Sequence, residues 1–268
     1  KAIIVHRINE CDERKNTNYM NNLLKKANIV SDHTVFVSQW LKKIHTNNDI
    51  GLDSSSVILS GADNTIFNNI GKIRWNRREK LKIVTHHWGN DWNKGFKIYN
   101  ELDELINEQK DFEFTYIGNL PENFKFKNSN YLKPLSGLDL SNELKSHHLY
   151  LTASLNEPSG NHHIEAAQCG LPLMFINSGG IVEYCIDYGL MFEDYNFNEK
   201  LLYMVENYDE FFDKVQNYSL SSESTNKQFL DLFYKLTNEK TKKTINFVNF
   251  RIQLFQIVLF YYKVLKFI

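Results

Sequence analysis

The chain has 268 residues, 42% of them hydrophobic and 24% charged, an ordinary globular composition with ample material for a core. A formal net charge of −1 supplies no global attraction for nucleic acid or for an anionic membrane. Three cysteines, Cys11, Cys169 and Cys185, show no paired metal spacing; this argues against a disulfide framework, suits a reducing cytoplasm, and leaves them as expected small core residues.

The sequence begins at Lys1 and enters an apolar run, Ala2-Ile3-Ile4-Val5, without a signal peptide, which reads as an internal start and as a first strand. Its end carries His6-Arg7-Ile8-Asn9-Glu10 and then Asp12, Arg14 and Lys15, a polar cluster suited to facing an acceptor or, equally, to a solvated loop with surface ion pairs. A helix is expected over Asn18 to Asn28, with Met20, Leu23, Leu24 and Ala27 on one face, and a strand over Thr34 to Val37. Ser38 is placed to cap a helix from Gln39. After a turn at Asp53 to Ser56 comes a strand over Val57 to Leu59, then Gly61 and Asp63. The basic residues Lys72, Arg74, Arg77, Arg78 and Lys80 read as an interdomain linker, since Trp75 alone interleaves them and a nucleic-acid surface wants more aromatic rings.

A strand over Leu81 to Thr85 opens the second half, with His86 to Gly95 as the loop above it and a helix from Phe96 to about Glu108. Strands follow at Phe112 to Gly118 and Tyr131 to Lys133, then a helix from a capping box at Ser136 and Asp139 through Lys145. Leu149 to Ser154 is a buried strand broken by the turn formers Asn156-Glu157-Pro158-Ser159-Gly160. A helix begins there, capped by Ser159 or Asn161 and ended by Gly170 and Pro172, and leads to a strand at Leu173 to Ile176. A short helix, a strand at Gly189 to Phe192, and a helix from Glu199 to about Asn217 complete the pattern. Two further helical stretches, Lys227 to about Lys243 and Phe247 to Ile268, close the chain; the last is too polar and too short for a membrane span.

Strand, loop and helix around Glu157 form a βαβ unit, and open parallel sheets bind ligands at the carboxyl ends of their strands. Backbone N–H groups of Gly160, Asn161 and His162 at the helix start favour an anion such as a phosphate. Glu165, one turn inside, suits the hydroxyls of a neutral polyol such as ribose. Taken singly, Glu157 reads equally as a loop surface residue and Glu165 as a first-turn glutamate favoured by the helix dipole.

Glu157-Pro-Ser-Gly-Asn-His-His-Ile-Glu165-Ala-Ala-Gln-Cys-Gly170-Leu-Pro172, followed by Gly179-Gly180-Ile-Val-Glu183, resembles the donor-site signature of retaining GT-B glycosyltransferases of family 4. The resemblance implies an α/β fold of GT-B type. Residues 1–76 would be a remnant of an acceptor-side Rossmann-like domain with its linker. Residues 77–218 would bind the nucleotide-sugar donor, and 219–268 would cross back as carboxyl-terminal helices. On this expectation the amino-terminal domain is truncated and the chain alone turns over no acceptor.

The implied reaction moves a hexosyl unit from a nucleoside diphosphate sugar to a glycan or lipid-linked acceptor, with no metal or other cofactor. Lys94-Gly95 resembles the family's diphosphate-binding pair, and Gly118 ends its strand as the family's comparable strand does. The resemblance assigns catalytic roles to Glu157, near the transferred sugar, and to Lys94, at the leaving group. It assigns donor binding to Gly95, Gly160, Asn161, His162, Glu165, Gly118 and His87. An arginine common about five residues before the lysine is replaced here by Gly89, so either His87, Trp88 and Asn90 remake the contact or the donor is bound differently. The implied location is cytoplasmic, with peripheral contact at the inner face of the membrane as a minor alternative. The rival readings are a sugar-nucleotide epimerase of the same fold and a non-catalytic nucleotide-sugar binding fragment.

Three histidine pairs, His86-His87, His147-His148 and His162-His163, invite a metal reading, but neighbours on a strand point to opposite faces and at a helix start diverge by about 100°. Lining a sugar-phosphate cleft suits His86, His87 and His162 better. Neither a Gly-x-Gly-x-x-Gly fingerprint nor a phosphate-binding Gly-x-x-x-x-Gly-Lys loop is present.

Overall fold

The computed structural model describes residues 2–240. Ile4–Thr225 form one compact unit, and the described remainder belongs to a second in which residues 226–240 are helical. The expected helix at Phe247 to Ile268, and the proposed crossing back of the carboxyl terminus that rests on it, lie outside the described residues.

The larger unit contains two parallel sheets. The small one, in the order β1-β2-β3, is made of β1 (Val5–Ile8), β2 (His33–Phe36) and β3 (Ser55–Val57). Between these strands run α1 (Asp12–Lys15), α2 (Met20–Asn28) and α3 (Gln39–Thr46). The first strand begins at Val5, three residues later than the apolar run indicates, so Arg7 stands on the strand itself. No residue of α2 is buried, and Leu23 of its expected apolar face is 55% exposed. Ser38 does cap α3, its Oγ accepting from Leu41 N at 3.2 Å.

The large sheet has six strands, β4 (Leu81–His87), β5 (Phe112–Gly118), β6 (Asn130–Leu132), β7 (Leu149–Thr152), β8 (Leu173–Ile176) and β9 (Gly189–Phe192), all paired in parallel. Their spatial order is β6-β5-β4-β7-β8-β9. The chain thus builds outward from β4 to β6, crosses back through α5 (Gly137–Lys145), and builds the other way from β7. The reversal between β4 and β7 is a topological switch point, where the connections leave in opposite directions and open a crevice at the carboxyl ends of the two strands.

Both faces of this sheet are covered, which is why its strands read as nearly continuous apolar runs. Leu81, Ile83, Leu149, Leu151, Met174 and Ile176 face the core shared with α4 (Phe96–Glu108), α8 (Phe197–Glu206) and α9 (Tyr208–Val215). Val84, Tyr150, Leu173 and Phe175 face α5, α6 (Asn161–Gln168) and α7 (Ile181–Cys185). Each such fully buried side chain contributes about 1.5–3 kcal/mol. The three cysteines are free and buried, as small apolar residues would be.

The basic stretch around Trp75 is pinned along α9. Arg74 pairs with Asp209 and Asp213, Arg77 with Asp209, and Trp75 meets Tyr208 edge-on at 5.5 Å. The helix expected over Glu199 to Asn217 is two, because the chain turns at Asn207 so that Tyr208, Phe211 and Phe212 reach the core.

Candidate functional site

The carboxyl ends of β4 and β7 open into a cavity of about 360 Å³. Glu157, Lys94, Gly160, Asn161, His162, Glu165 and His87 all line it, joined by His86, Trp88, Gly89 and Ser159 and, from the small-sheet side, by Arg7, Asn9, Arg14 and Ser60. Gly95 and Gly118 are outside the lining and stand behind it.

Gly95 lets the lysine reach the cavity. Lys94 ends a 3-10 turn, Trp92–Lys94, and Gly95 follows in a left-handed conformation with φ 99°. A Cβ at Gly95 would stand 2.6 Å from that of Ala153, so the turn and the end of β7 pack backbone to backbone. Leu155 N donates to Asn93 O at 2.7 Å and completes this seam. Gly118 acts similarly one strand away, where a Cβ would sit 1.9 Å from His87 O.

Glu157 is held from behind by the loop after β8. Gly180 N donates to Glu157 O at 2.8 Å, and a Cβ at Gly179 would come within 2.6 Å of Glu157 N and O. The two glycines of the second motif therefore position the glutamate of the first. Its carboxylate, 4% exposed, has Lys94 Nζ 2.7 Å from Oε2 and Arg14 Nε 2.9 Å from Oε1. The lysine contact is a well-formed hydrogen bond, whereas the arginine contact is a close ion pair whose angle falls short of a good one. Burial pushes the Glu157 carboxyl up, but the Lys94 and Arg14 charges outweigh it and hold the group below the usual carboxylate range.

The helix start is formed by Gly160, at φ 74°, and not by a capping side chain from Ser159 or Asn161. The first amides of α6 consequently have no internal cap and open toward the cavity. His162 folds back, its Nε2 2.9 Å from Thr152 Oγ1, and its ring lies 4.5 Å from that of His87. His87 Nε2 lies 2.8 Å from Tyr99 OH. Burial first, and then the Lys94 charge beside His87 and the His87 ring beside His162, drives both imidazoles well below the ordinary histidine range, so these rings are neutral walls. His163, behind them, is pushed down to about 3 by burial.

Glu165 projects from the second turn of α6, with Oε2 2.8 Å from His86 Nε2. Strand β4 continues through His87, so His86 and His87 belong to the strand and not to the loop above it. Their alternation sends His86 toward α6 and His87 toward Tyr99. Gly89 is occupied in a different sense: a Cβ there would stand 2.8 Å from Lys94 Cε, so the lysine stem fills the space. Among the described residues no group of three His, Cys, Asp or Glu side chains is arranged to hold a metal ion, and no helix is long and apolar enough to cross a membrane.

Two features were not legible beforehand. Arg14 reaches Glu157 from 143 residues away, a contact that no local spacing announces. Glu183, the last glutamate of the motif, points away from the cavity and accepts from Gln39 N and Trp40 N, both at 2.7 Å, at the start of α3. With Tyr184 OH donating to Val37 O at 2.5 Å, it bolts α7 to the small-sheet side.

No family model matches this sequence, and no curated protein aligns with it. Solved structures do resemble it. HepE from Anabaena, in complex with UDP and glucose, superposes with a TM-score of 0.70 at 15% identity, covering 87% of this chain and 71% of its own. Sucrose-phosphate synthase from Thermosynechococcus elongatus gives 0.69 at 15% identity, over 88% and 68%. TarM of S. aureus, bound to fondaparinux, a glycosylated glycerol and UDP, gives 0.66 at 16% identity, over 85% and 50%. At such identities the likeness speaks to the fold, and the fold of this chain is the Rossmann-like α/β architecture of the GT-B glycosyltransferases.

Proposed function

We propose that this protein is a glycosyltransferase that takes a hexosyl unit from a nucleoside diphosphate sugar and transfers it, with retention of anomeric configuration, to a glycan or lipid-linked acceptor. The observation that carries the reading is the convergence, in one cavity at the switch point, of Lys94, the uncapped amides of α6, Glu165 and Glu157. The solved structures of similar fold that contain UDP support the choice of ligand class.

In this reading the diphosphate lies against the amides of Gly160 to His162, with Lys94 turning from Glu157 to the phosphate oxygens. As the bond from the anomeric carbon to the diphosphate oxygen breaks, negative charge builds on the leaving group. Fixed N–H dipoles and the ammonium, once turned to the phosphate, stabilise that charge. The acceptor hydroxyl forms the new bond and passes its proton to the departing phosphate oxygen. Glu165, steadied by His86, accepts from the ribose hydroxyls. Glu157 faces the transferred sugar, where a carboxylate binds hydroxyls and favours an oxocarbenium-like centre. The neutral rings of His87 and His162 supply hydrogen bonds and no competing charge.

The test is turnover. The protein is incubated with UDP-, ADP- and GDP-hexoses, with and without a mixture of glycan and lipid-linked acceptors, and the nucleoside diphosphate released is measured. Acceptor-dependent release that falls at least 100-fold in Lys94→Ala supports the reading and overturns the expectation that the chain alone turns over no acceptor. Formation of an epimeric sugar without acceptor, or the same release in Lys94→Ala as in the parent, contradicts it.

A further inference from the structure

Lys94 cannot be the whole answer to a diphosphate's charge, because its ammonium already answers Glu157. The same carboxylate faces a second cation, Arg14, on its other oxygen. One buried negative charge thus has two positive neighbours, one from each side of the cavity, and Arg14 is shared between it and Glu10. At Gly89, on the large-sheet side, the lysine stem occupies the room a longer side chain would need.

We infer that Arg14 is a diphosphate-binding residue, contributed from the small-sheet side, and that the nucleotide is gripped by both sides of the cavity. This rests on the nucleotide-sugar reading above and goes beyond it in naming a second cation and its origin. Three observations place the residue. Arg14 lines the cavity, and its buried Nε meets only Oε1 of Glu157, at 2.9 Å and at an angle too bent for a good hydrogen bond. A buried guanidinium nitrogen with so poorly directed a partner would be better satisfied by a ligand oxygen in line with its N–H. The side chain is also pre-set: Nη1 donates to Glu10 Oε2 at 2.6 Å.

The short helix that carries it is itself fixed. Asp12 accepts from Thr17 Oγ1, Met20 N and Asn21 N at 2.5, 2.8 and 3.0 Å, which ties α1 to the start of α2. Glu10 O lies 2.8 Å from His45 Nε2 of α3. A planar guanidinium held by one edge presents its remaining donors in a fixed fork, the geometry that suits two oxygens of a phosphate group. Entry of the diphosphate would draw Lys94 and Arg14 together off Glu157 and free that carboxylate for the sugar.

The test is calorimetric titration of wild type, Arg14→Gln and Arg14→Lys with UDP, ADP and GDP, with their monophosphates and with inorganic pyrophosphate, each protein checked for its thermal midpoint. Arg14→Gln is expected to weaken the preferred nucleoside diphosphate and pyrophosphate at least tenfold and the monophosphate by threefold or less. Arg14→Lys, which keeps the charge and loses the fork, should fall between. Equal losses for diphosphate and monophosphate, or none, would overturn the assignment while leaving the nucleotide site standing. If Arg14→Gln unfolds, the Arg14→Lys comparison decides alone, since a purely structural role would move both ligands together. Failure of wild type to bind any of the nucleotides would overturn both this inference and the proposed function.

Discussion

Two regions of the molecule are rich in ion pairs, and they differ in how deeply those pairs are buried. Along α9, Arg74 and Arg77 meet Asp209 and Asp213 with all four side chains between 43% and 65% exposed. In the cavity, Lys94 and Glu157 meet at 10% and 4% exposed, with Arg14 at 26% beside them. Exposed pairs gain little because water screens them and holding long side chains costs entropy. A buried carboxylate costs several kcal/mol to desolvate, and its partners only offset that cost. The first set fastens the Arg74–Arg77 stretch to α9 cheaply. The second is an expensive arrangement for stability alone, and it makes sense as charge stored for a ligand.

The largest effect expected from this contrast is that of Glu157→Ala, which leaves the buried Lys94 ammonium without its carboxylate and should cost about 3–5 kcal/mol of unfolding free energy, measured by urea titration. A loss below 1 kcal/mol would mean the site is as wet as the linker. Gly95→Val comes next, since φ 99° and the 2.6 Å approach to Ala153 leave no room for a side chain. About 1–3 kcal/mol of strain is expected, together with loss of nucleotide binding as Lys94 is displaced. An unchanged urea midpoint with intact binding would show that the seam is not what places the lysine.

Acid should reveal the buried histidines before it touches the linker. Burial holds the folded-state values of His147 and His148 down to about 4. Between about pH 6.5 and pH 4 the unfolded chain therefore binds more protons than the folded one, and stability falls as pH is lowered through that window. Glu157, whose folded value is depressed, adds a further loss only below the ordinary carboxylate range. Urea midpoints flat from pH 7 to pH 4.5 would contradict this. The smallest effect is Arg74→Ala on the linker: less than about 1 kcal/mol, including the guanidinium stacked 4.7 Å from the Phe212 ring.

The same contrast explains what could be read in advance. The helix Phe96–Glu108 and the strands Phe112–Gly118, Leu173–Ile176 and Gly189–Phe192 match their expected bounds, because apolar periodicity and flanking turn residues mark them locally. The βαβ unit that carries Glu157 through Glu165 could be placed for the same reason, but what singled those residues out was the resemblance of the motif and not any local periodicity. The capping at Ser159 and at Ser136 was not, since neither side chain turns to its helix. His86 and His87 read as loop because polar residues rarely end a buried strand; here Glu165 and Tyr99 satisfy them. Arg14 and Glu183 were invisible as a latch and a cap because both act across more than 140 residues of sequence.

The central claim, that the buried charges of the cavity exist to receive a nucleoside diphosphate, is tested most directly by calorimetric titration of the protein and its Glu165→Ala and Lys94→Ala variants with UDP, ADP and GDP. One of the three should bind the parent, with at least tenfold weaker binding in each variant. No binding to the parent, or equal binding to all three proteins, would contradict it.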